Sequence, residues 1–199
     1  MADQRAQWRD GGAETAAFLD AAAAALTGGK RLRARFCITG WQAVAEHGST
    51  APRAPQAPDD VLAAAAALEI FHAAALVHDD LIDNSDTRRG HPAAHRALES
   101  AHRTSRWAGD AAAFGRSAAI LLGDLLVAWS DDLLEEGLQG AVHAASARAV
   151  YAVMRREVTV GQFLDIAEEA AFRSSPASEH AERALRVASL KSARYSVQH

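Results

Sequence analysis

Leu68-Glu69-Ile70-Phe71-His72-Ala73-Ala74-Ala75-Leu76-Val77-His78-Asp79-Asp80-Leu81-Ile82-Asp83-Asn84-Ser85-Asp86-Thr87-Arg88-Arg89-Gly90 is the stretch that decides the fold. Its Ala and Leu content predicts one helix over Val61 to Asp83, on which Asp79 and Asp83 project from the same face one turn apart with Asp80 beside them. Three carboxylates so placed repel one another unless something positive sits between them. A hard divalent cation suits them, because Mg²⁺ binds through one or two carboxylates, keeps several waters and completes its shell with phosphate oxygens. Arg88 and Arg89 follow closely, and guanidinium groups recognise phosphate bidentately, so the pattern predicts a diphosphate held between metal and arginine. The plainer alternative is a helix end decorated with solvated charges.

Working outward, the chain is long enough, at 199 residues and 49% hydrophobic, to bury one substantial core, and one domain over 1–199 is expected. A net charge of -4 and a pI near 6.1 leave no electrostatic footprint for nucleic acid. The most apolar run, Val61 to Val77, is interrupted by Glu69 and His72 and reads as a core helix, not a membrane span. A single cysteine, Cys37, excludes an intramolecular disulfide, and its Phe36 and Ile38 neighbours suit a buried thiol in a reducing compartment. Met1 to Arg5 lacks the features of a signal peptide, so the cytoplasm is the expected location.

Three of the five prolines, Pro52, Pro55 and Pro58, fall in Gly48 to Pro58 and predict a loop there. The remainder shows no period-2 alternation, and an all-α bundle of about six to eight helices is expected. A first helix over Glu14 to Leu26 should stop at Gly28-Gly29, with the next beginning at Lys30. That would set Lys30 and Arg33 on one face of a helix N-terminus, a natural place for an anion. His72 lies two turns before Asp79 and nearly in line with it; unaided, it reads equally well as a satisfied core histidine. His91 and His95 have zinc-like i, i+4 spacing, but Pro92 intervenes and no third ligand is placed. A long helix is expected over Arg116 to Glu136, where Gly123 permits close helix packing, Asp124 needs a partner, and Asp131-Asp132 reads as a solvated face. Helical pattern resumes over Ala141 to Phe172, with Gln162 and Asp165 on one face, and a last helix follows Pro176.

Taken together, these landmarks resemble the trans-isoprenyl diphosphate synthases, also called polyprenyl synthetases. The resemblance rests on Gly28-Gly29-Lys30-Arg31-Leu32-Arg33, His72, Asp79-Asp80-Leu81-Ile82-Asp83 with Arg88-Arg89-Gly90, Gly123-Asp124, Gly161-Gln162 with Asp165, and Lys191-Ser192-Ala193-Arg194-Tyr195. Where the family commonly follows the first of these with Pro, this chain has Ala34, and Ser192 replaces a commoner Thr. The resemblance implies an all-α bundle of the isoprenoid synthase type and a homodimer. It assigns Lys30, Arg33, His72 and Arg89 to isopentenyl diphosphate, and Arg88, Lys191, Ser192 and Gln162 to an allylic diphosphate. Asp79, Asp80 and Asp83 would hold Mg²⁺ and act in catalysis with Lys191.

The implied reaction is a head-to-tail condensation of isopentenyl diphosphate with an allylic diphosphate. Product length should follow what lies below the carboxylates on the central helix, with Ala75 about 6 Å down and on the Asp79 face. Ala74 and Ala75 leave room there, which points to a C20 product within a C15 to C25 range. A second aspartate-rich motif, which family members carry on a later helix, does not occur before His199. Relative to the family, the chain is therefore expected to lack the C-terminal helices. The missing carboxylates would belong to a longer enzyme or a complementing second chain, or the chain is a non-catalytic partner subunit or inactive. A plain helical interaction protein is the remaining class.

Overall fold

The computed structural model describes residues 6–46 and 56–198. The expected loop at Gly48 to Pro58 falls mostly outside those residues, as do Met1 to Arg5. Among the described residues the fold is all-α but for one short hairpin. The helices are α1 (Gly12–Ala25), α2 (Leu32–Glu46), α3 (Asp59–Ile82), α4 (Ala94–Thr104), α5 (Ala111–Gly137), α6 (Ala144–Ala171), α7 (His180–Ala188) and α8 (Arg194–Val197), with a π-helical turn, Ser189–Ala193, joining α7 to α8.

Helix α3 is the axis. It starts after Pro58 with Asp59 and Asp60 in its first turn, where negative charge complements the helix dipole. One flank, with Ala73, Ala74 and Val77, packs with Leu19 and Ala22 of α1, Leu98 of α4, and Leu122, Leu126 and Trp129 of α5. The other, with Ala67 and Phe71, packs with Leu134 and Leu138 at the end of α5, Tyr151, Met154 and Val158 of α6, and Tyr195 of α8. Alanine on α3 lets these neighbours approach closely. Inside the second cluster, Ser130 Oγ donates to Ala67 O at 2.7 Å and its lone pair receives the Tyr151 hydroxyl, so two buried hydroxyls are satisfied together. By length and composition α3 and α5 could each cross a membrane; here they pack against one another in the core.

Two chain reversals place the functional side chains. Helix α3 ends in a Schellman arrangement: Ser85 N–H donates to Asp80 O at 2.8 Å and Asn84, at φ 51°, adopts the left-handed conformation. The chain then enters a hairpin, β1 (Thr87–Arg88) paired antiparallel with β2 (His91–Pro92), whose turn residues Arg89 and Gly90 both have positive φ, as a tight two-residue turn requires. The sequence predicts neither strand. Between α1 and α2, Gly28 and Gly29 are left-handed as expected, but Arg31 is too (φ 51°), so α2 starts at Leu32 and Lys30 sits in the loop before it. The expectation that Lys30 and Arg33 share a helical face is therefore corrected.

Candidate active site

Around the end of α3 the carboxylates divide by environment. Asp79 is half-buried between two cations, with Oδ1 3.2 Å from Lys191 Nζ and Oδ2 3.6 Å from an Arg88 terminal nitrogen. Lys191 also donates to Asp165 Oδ2 at 2.6 Å, so α6 and the π turn reach the same point as α3. Burial pulls the Lys191 ammonium down, but its hydrogen bonds to Asp165 and Asp79 outweigh that and leave it above its ordinary value. Asp83, one turn beyond Asp79, is exposed; desolvation first, and the negative charge of Asp79 second, push its carboxyl upward.

Asp80 is different. It is 3% exposed, and Arg88 grips its Oδ1 through Nε at 2.8 Å and through a terminal nitrogen. The predicted metal ligand Asp80 is thus paired through Oδ1 with Arg88 and aims that arginine.

Beside these groups lies a cavity of about 380 Å³, lined by Gly29, Lys30, Arg31, Leu32 and Arg33 of the α1–α2 loop and helix start, Glu69 and His72 of α3, and Arg89 of the hairpin turn. The anion at the N-terminus of α2 is the chain's own: Glu69 Oε1 accepts from the N–H groups of Arg33 (3.0 Å) and Ala34 (3.1 Å), and Arg31 stands 3.7 Å from its other oxygen. The helix end is thus occupied, and the cations it carries are left to face the cavity. Gly29 makes room for Arg89, since a Cβ there would stand 2.7 Å from the guanidinium. Among the described residues no ion pair engages Lys30.

His72 is the hinge between cavity and carboxylates. Its Nδ1 lies 2.7 Å from the Tyr195 hydroxyl, and Tyr195 also carries the Arg33 guanidinium 4.3 Å above its ring. Burial first, then the charges of Arg33, Arg89, Arg88 and Arg31, lowers the His72 pKa to about 3, so it is a neutral imidazole. Burial likewise pushes the Tyr195 phenol up to about 12.

The sequence-predicted residues fare unequally. Lys30, Arg33, His72 and Arg89 share one cavity, and Asp79, Arg88 and Lys191 form one ion-pair group. Gln162 is half-buried, with Nε2 lacking a hydrogen-bond partner, whereas Ser192 is exposed on the π turn. Of the two predicted chain-length residues, Ala74 is fully buried against Leu122 and its neighbours, and Ala75 is half-buried on the Asp79 face. Asp124 is exposed beside His78 at 3.5 Å, not set in an apolar environment, while Gly123 packs under the His78 ring. Asp131 is half-buried and paired with Arg155, not merely solvated. His91 lies on the hairpin and His95 is buried on α4, so the pair shares no helix face. Glu69 and Tyr195 carry the geometry yet have no role assigned by sequence. Asp165 does have a signal, its spacing from Gln162, but not its partner.

Among the described residues no group of three His, Cys, Asp or Glu side chains could hold a metal alone. The donors nevertheless fit Mg²⁺ shared with a phosphate: a cation, the Lys191 ammonium, already bridges Asp79 and Asp165, and Asp83 is close enough to feel the negative charge of both carboxylates.

The polyprenyl synthetase family profile matches residues 16–199, and the chain belongs to that family. A heterodimeric geranylgeranyl pyrophosphate synthase large subunit 1 from Arabidopsis thaliana is 30% identical over 165 residues, covering 79% of this chain and 38% of that protein. A geranylgeranyl diphosphate synthase from Methanosarcina mazei is 32% identical over 139 residues, covering 70% of this chain and 35% of that protein. Among solved structures, a geranylgeranyl pyrophosphate synthase from Corynebacterium glutamicum, complexed with isoprenyl diphosphate and magnesium, superposes with a TM-score of 0.86 at 37% identity over 98% of this chain and 52% of that one. The chain therefore spans about half the length of that structure and under two fifths of these curated relatives.

Proposed function

We propose that this chain supplies both diphosphate-binding regions of a trans-prenyltransferase that joins isopentenyl diphosphate to an allylic diphosphate. The observation that carries this is the juxtaposition on α3 of a cation-lined cavity at His72 and an acid–lysine cluster at Asp79, about 10 Å apart along the helix axis. Two anionic groups held at that distance leave room for the hydrocarbon portions to meet between them.

In this reading Lys30, Arg33, His72 and Arg89 hold isopentenyl diphosphate, while Arg88 and Lys191 face the allylic diphosphate. The carbon–oxygen bond of the allylic ester breaks with its electron pair leaving on pyrophosphate, and the double bond of isopentenyl diphosphate forms the new carbon–carbon bond to the allylic carbon. A proton then passes to the departing pyrophosphate, since among the described residues no side chain is positioned as base. Lys191 and Arg88 stabilise the charge that gathers on the leaving group. Asp79 and Asp83 would hold Mg²⁺, with Asp165 nearby, and the ion would supply further neutralisation of that leaving group. Apolar helix walls keep water from the allylic cation.

The half-buried Ala75 below Asp79 supports a C20 product, in keeping with the names of the relatives. A homodimer or a complementing second chain would complete the carboxylate set, and the free thiol Cys37, half-buried, suits the cytoplasm. The test is incubation with radiolabelled isopentenyl and farnesyl diphosphates and Mg²⁺, with and without a second polypeptide, followed by product sizing. A C20 product in either arrangement supports the proposal; product only with the second polypeptide makes this chain a subunit. No product in either, together with no Mg²⁺-dependent thermal stabilisation by diphosphates, overturns it.

A further inference from the structure

Tyr195 is 6% exposed, yet it carries a hydroxyl that must be satisfied. Its two polar neighbours are unlike. The Arg33 guanidinium lies over the ring face and can only donate, and its positive charge polarises the phenol toward giving up its proton. The phenol has one proton, and His72 Nδ1 is 2.7 Å away to receive it. A ring nitrogen that accepts carries no proton, so the single N–H of a neutral imidazole must sit on Nε2.

We propose that Tyr195 is a positioning residue that fixes His72 as the Nε2–H tautomer, so that the ring offers a donor, not a lone pair, to a diphosphate in the cavity it shares with Lys30, Arg33 and Arg89. The inference rests on the diphosphate reading above. The opposite tautomer would turn a lone pair toward the anion and leave the phenol without its acceptor. The charges facing His72 are Arg31 just before α2, Arg33 in its first turn, and Arg88 and Arg89 from the hairpin, with Glu69 one turn back on its own helix; burial first, and then the four arginines, keeps the ring neutral. A neutral ring without Tyr195 would be free to populate both tautomers. Tyr195 also lies one turn beyond Lys191, so the contact that orients His72 anchors the segment bearing the lysine.

The experiment is two-bond proton–nitrogen correlation NMR on the whole chain labelled with ¹⁵N-histidine, with His72→Gln to identify the signal. Wild type should show bare Nδ1 and protonated Nε2, unchanged from about pH 8 to about pH 5. Tyr195→Phe should give a pattern averaged between tautomers and bind inorganic pyrophosphate with Mg²⁺ about fivefold more weakly. A wild-type Nδ1–H tautomer, which needs no variant to detect, would overturn the inference, as would a Tyr195→Phe chain with unchanged tautomer or unchanged pyrophosphate affinity. Wild type that shows the expected tautomer but binds no pyrophosphate overturns instead the diphosphate reading and the ligand half of the inference with it.

Discussion

Replacing Gly161 by alanine tests whether Lys191 is placed by backbone packing. Gly161 is buried on α6 beneath the π turn, and a Cβ there would stand 2.4 Å from Lys191 N and 2.8 Å from both Leu190 C and Lys191 Cα. Ordinary contact begins at 3.4 Å, so the π turn must retreat by about 1 Å. All the contacted atoms are backbone, and no rotamer change can relieve them. Alanine favours the helix by about 1 kcal/mol, against about 1–3 kcal/mol for forcing a methyl into a filled space. The net loss should be about 1 kcal/mol, lowering Tm by about 2–4 °C. The larger effect falls on Lys191, whose 2.6 Å bond to Asp165 and 3.2 Å approach to Asp79 do not survive such a shift, and prenyl transfer by the complete assembly should fall about 100-fold. Gly40→Ala is the control: Gly40 is also helical, nothing lies within 4 Å of its added Cβ, and Tm should rise. Gly161→Ala melting above wild type with full turnover would refute the reasoning.

Other expectations follow from the same geometry. His72 stays neutral in the folded chain down to about pH 3, whereas an unfolded histidine protonates near 6.5; the unfolded state gains a proton as pH falls and the folded state does not, so stability is lost on acidification between those values. His72→Gln should cut the difference in urea stability between pH 7 and pH 5 by about 2 kcal/mol, and an unchanged difference would place the ring in solvent. Glu69→Ala strips the acceptor from two N–H groups of α2 and should cost about 1 kcal/mol in urea unfolding, with Glu69→Gln recovering most of it. Asp80→Ala should cost about 2 kcal/mol in the same assay, less than a fully buried pair because the Arg88 side chain is 38% exposed. Asp79→Ala and Asp83→Ala should each abolish turnover in the complete assembly, and near-normal rates in either would remove the metal role.

The helices were readable because Ala-rich runs broken by Gly and Pro leave few other choices, and α1, α3 and α5 lie close to their expected spans. What could not be read was long-range. Glu69 looks like a lone acid on an apolar helix until α2 is laid against α3, since its partners at Arg33 and Ala34 are 36 and 35 residues away. Asp79 and Asp80 are adjacent in sequence and equivalent in chemistry, and the hairpin that brings Arg88 onto Asp80 Oδ1, leaving Asp79 to share Lys191, is too short to show periodicity. Ala74 and Ala75 differ in the same way, because one residue is a rotation of about 100° on α3 and turns Ala74 into the core.

Where a strand passes into a left-handed turn the side-chain direction changes abruptly, and the hairpin uses this at its smallest scale, with Arg89 at φ 54°. Arg88, the last residue of β1, serves the acids, while Arg89, the first of the turn, serves the cavity. One dipeptide thereby serves both the acids and the cavity. Inserting or deleting a single residue between Ser85 and Gly90 would move the strand–turn boundary off this pair while leaving composition and charge almost untouched, so length in this segment should be far less forgiving than identity at Thr87 or His91.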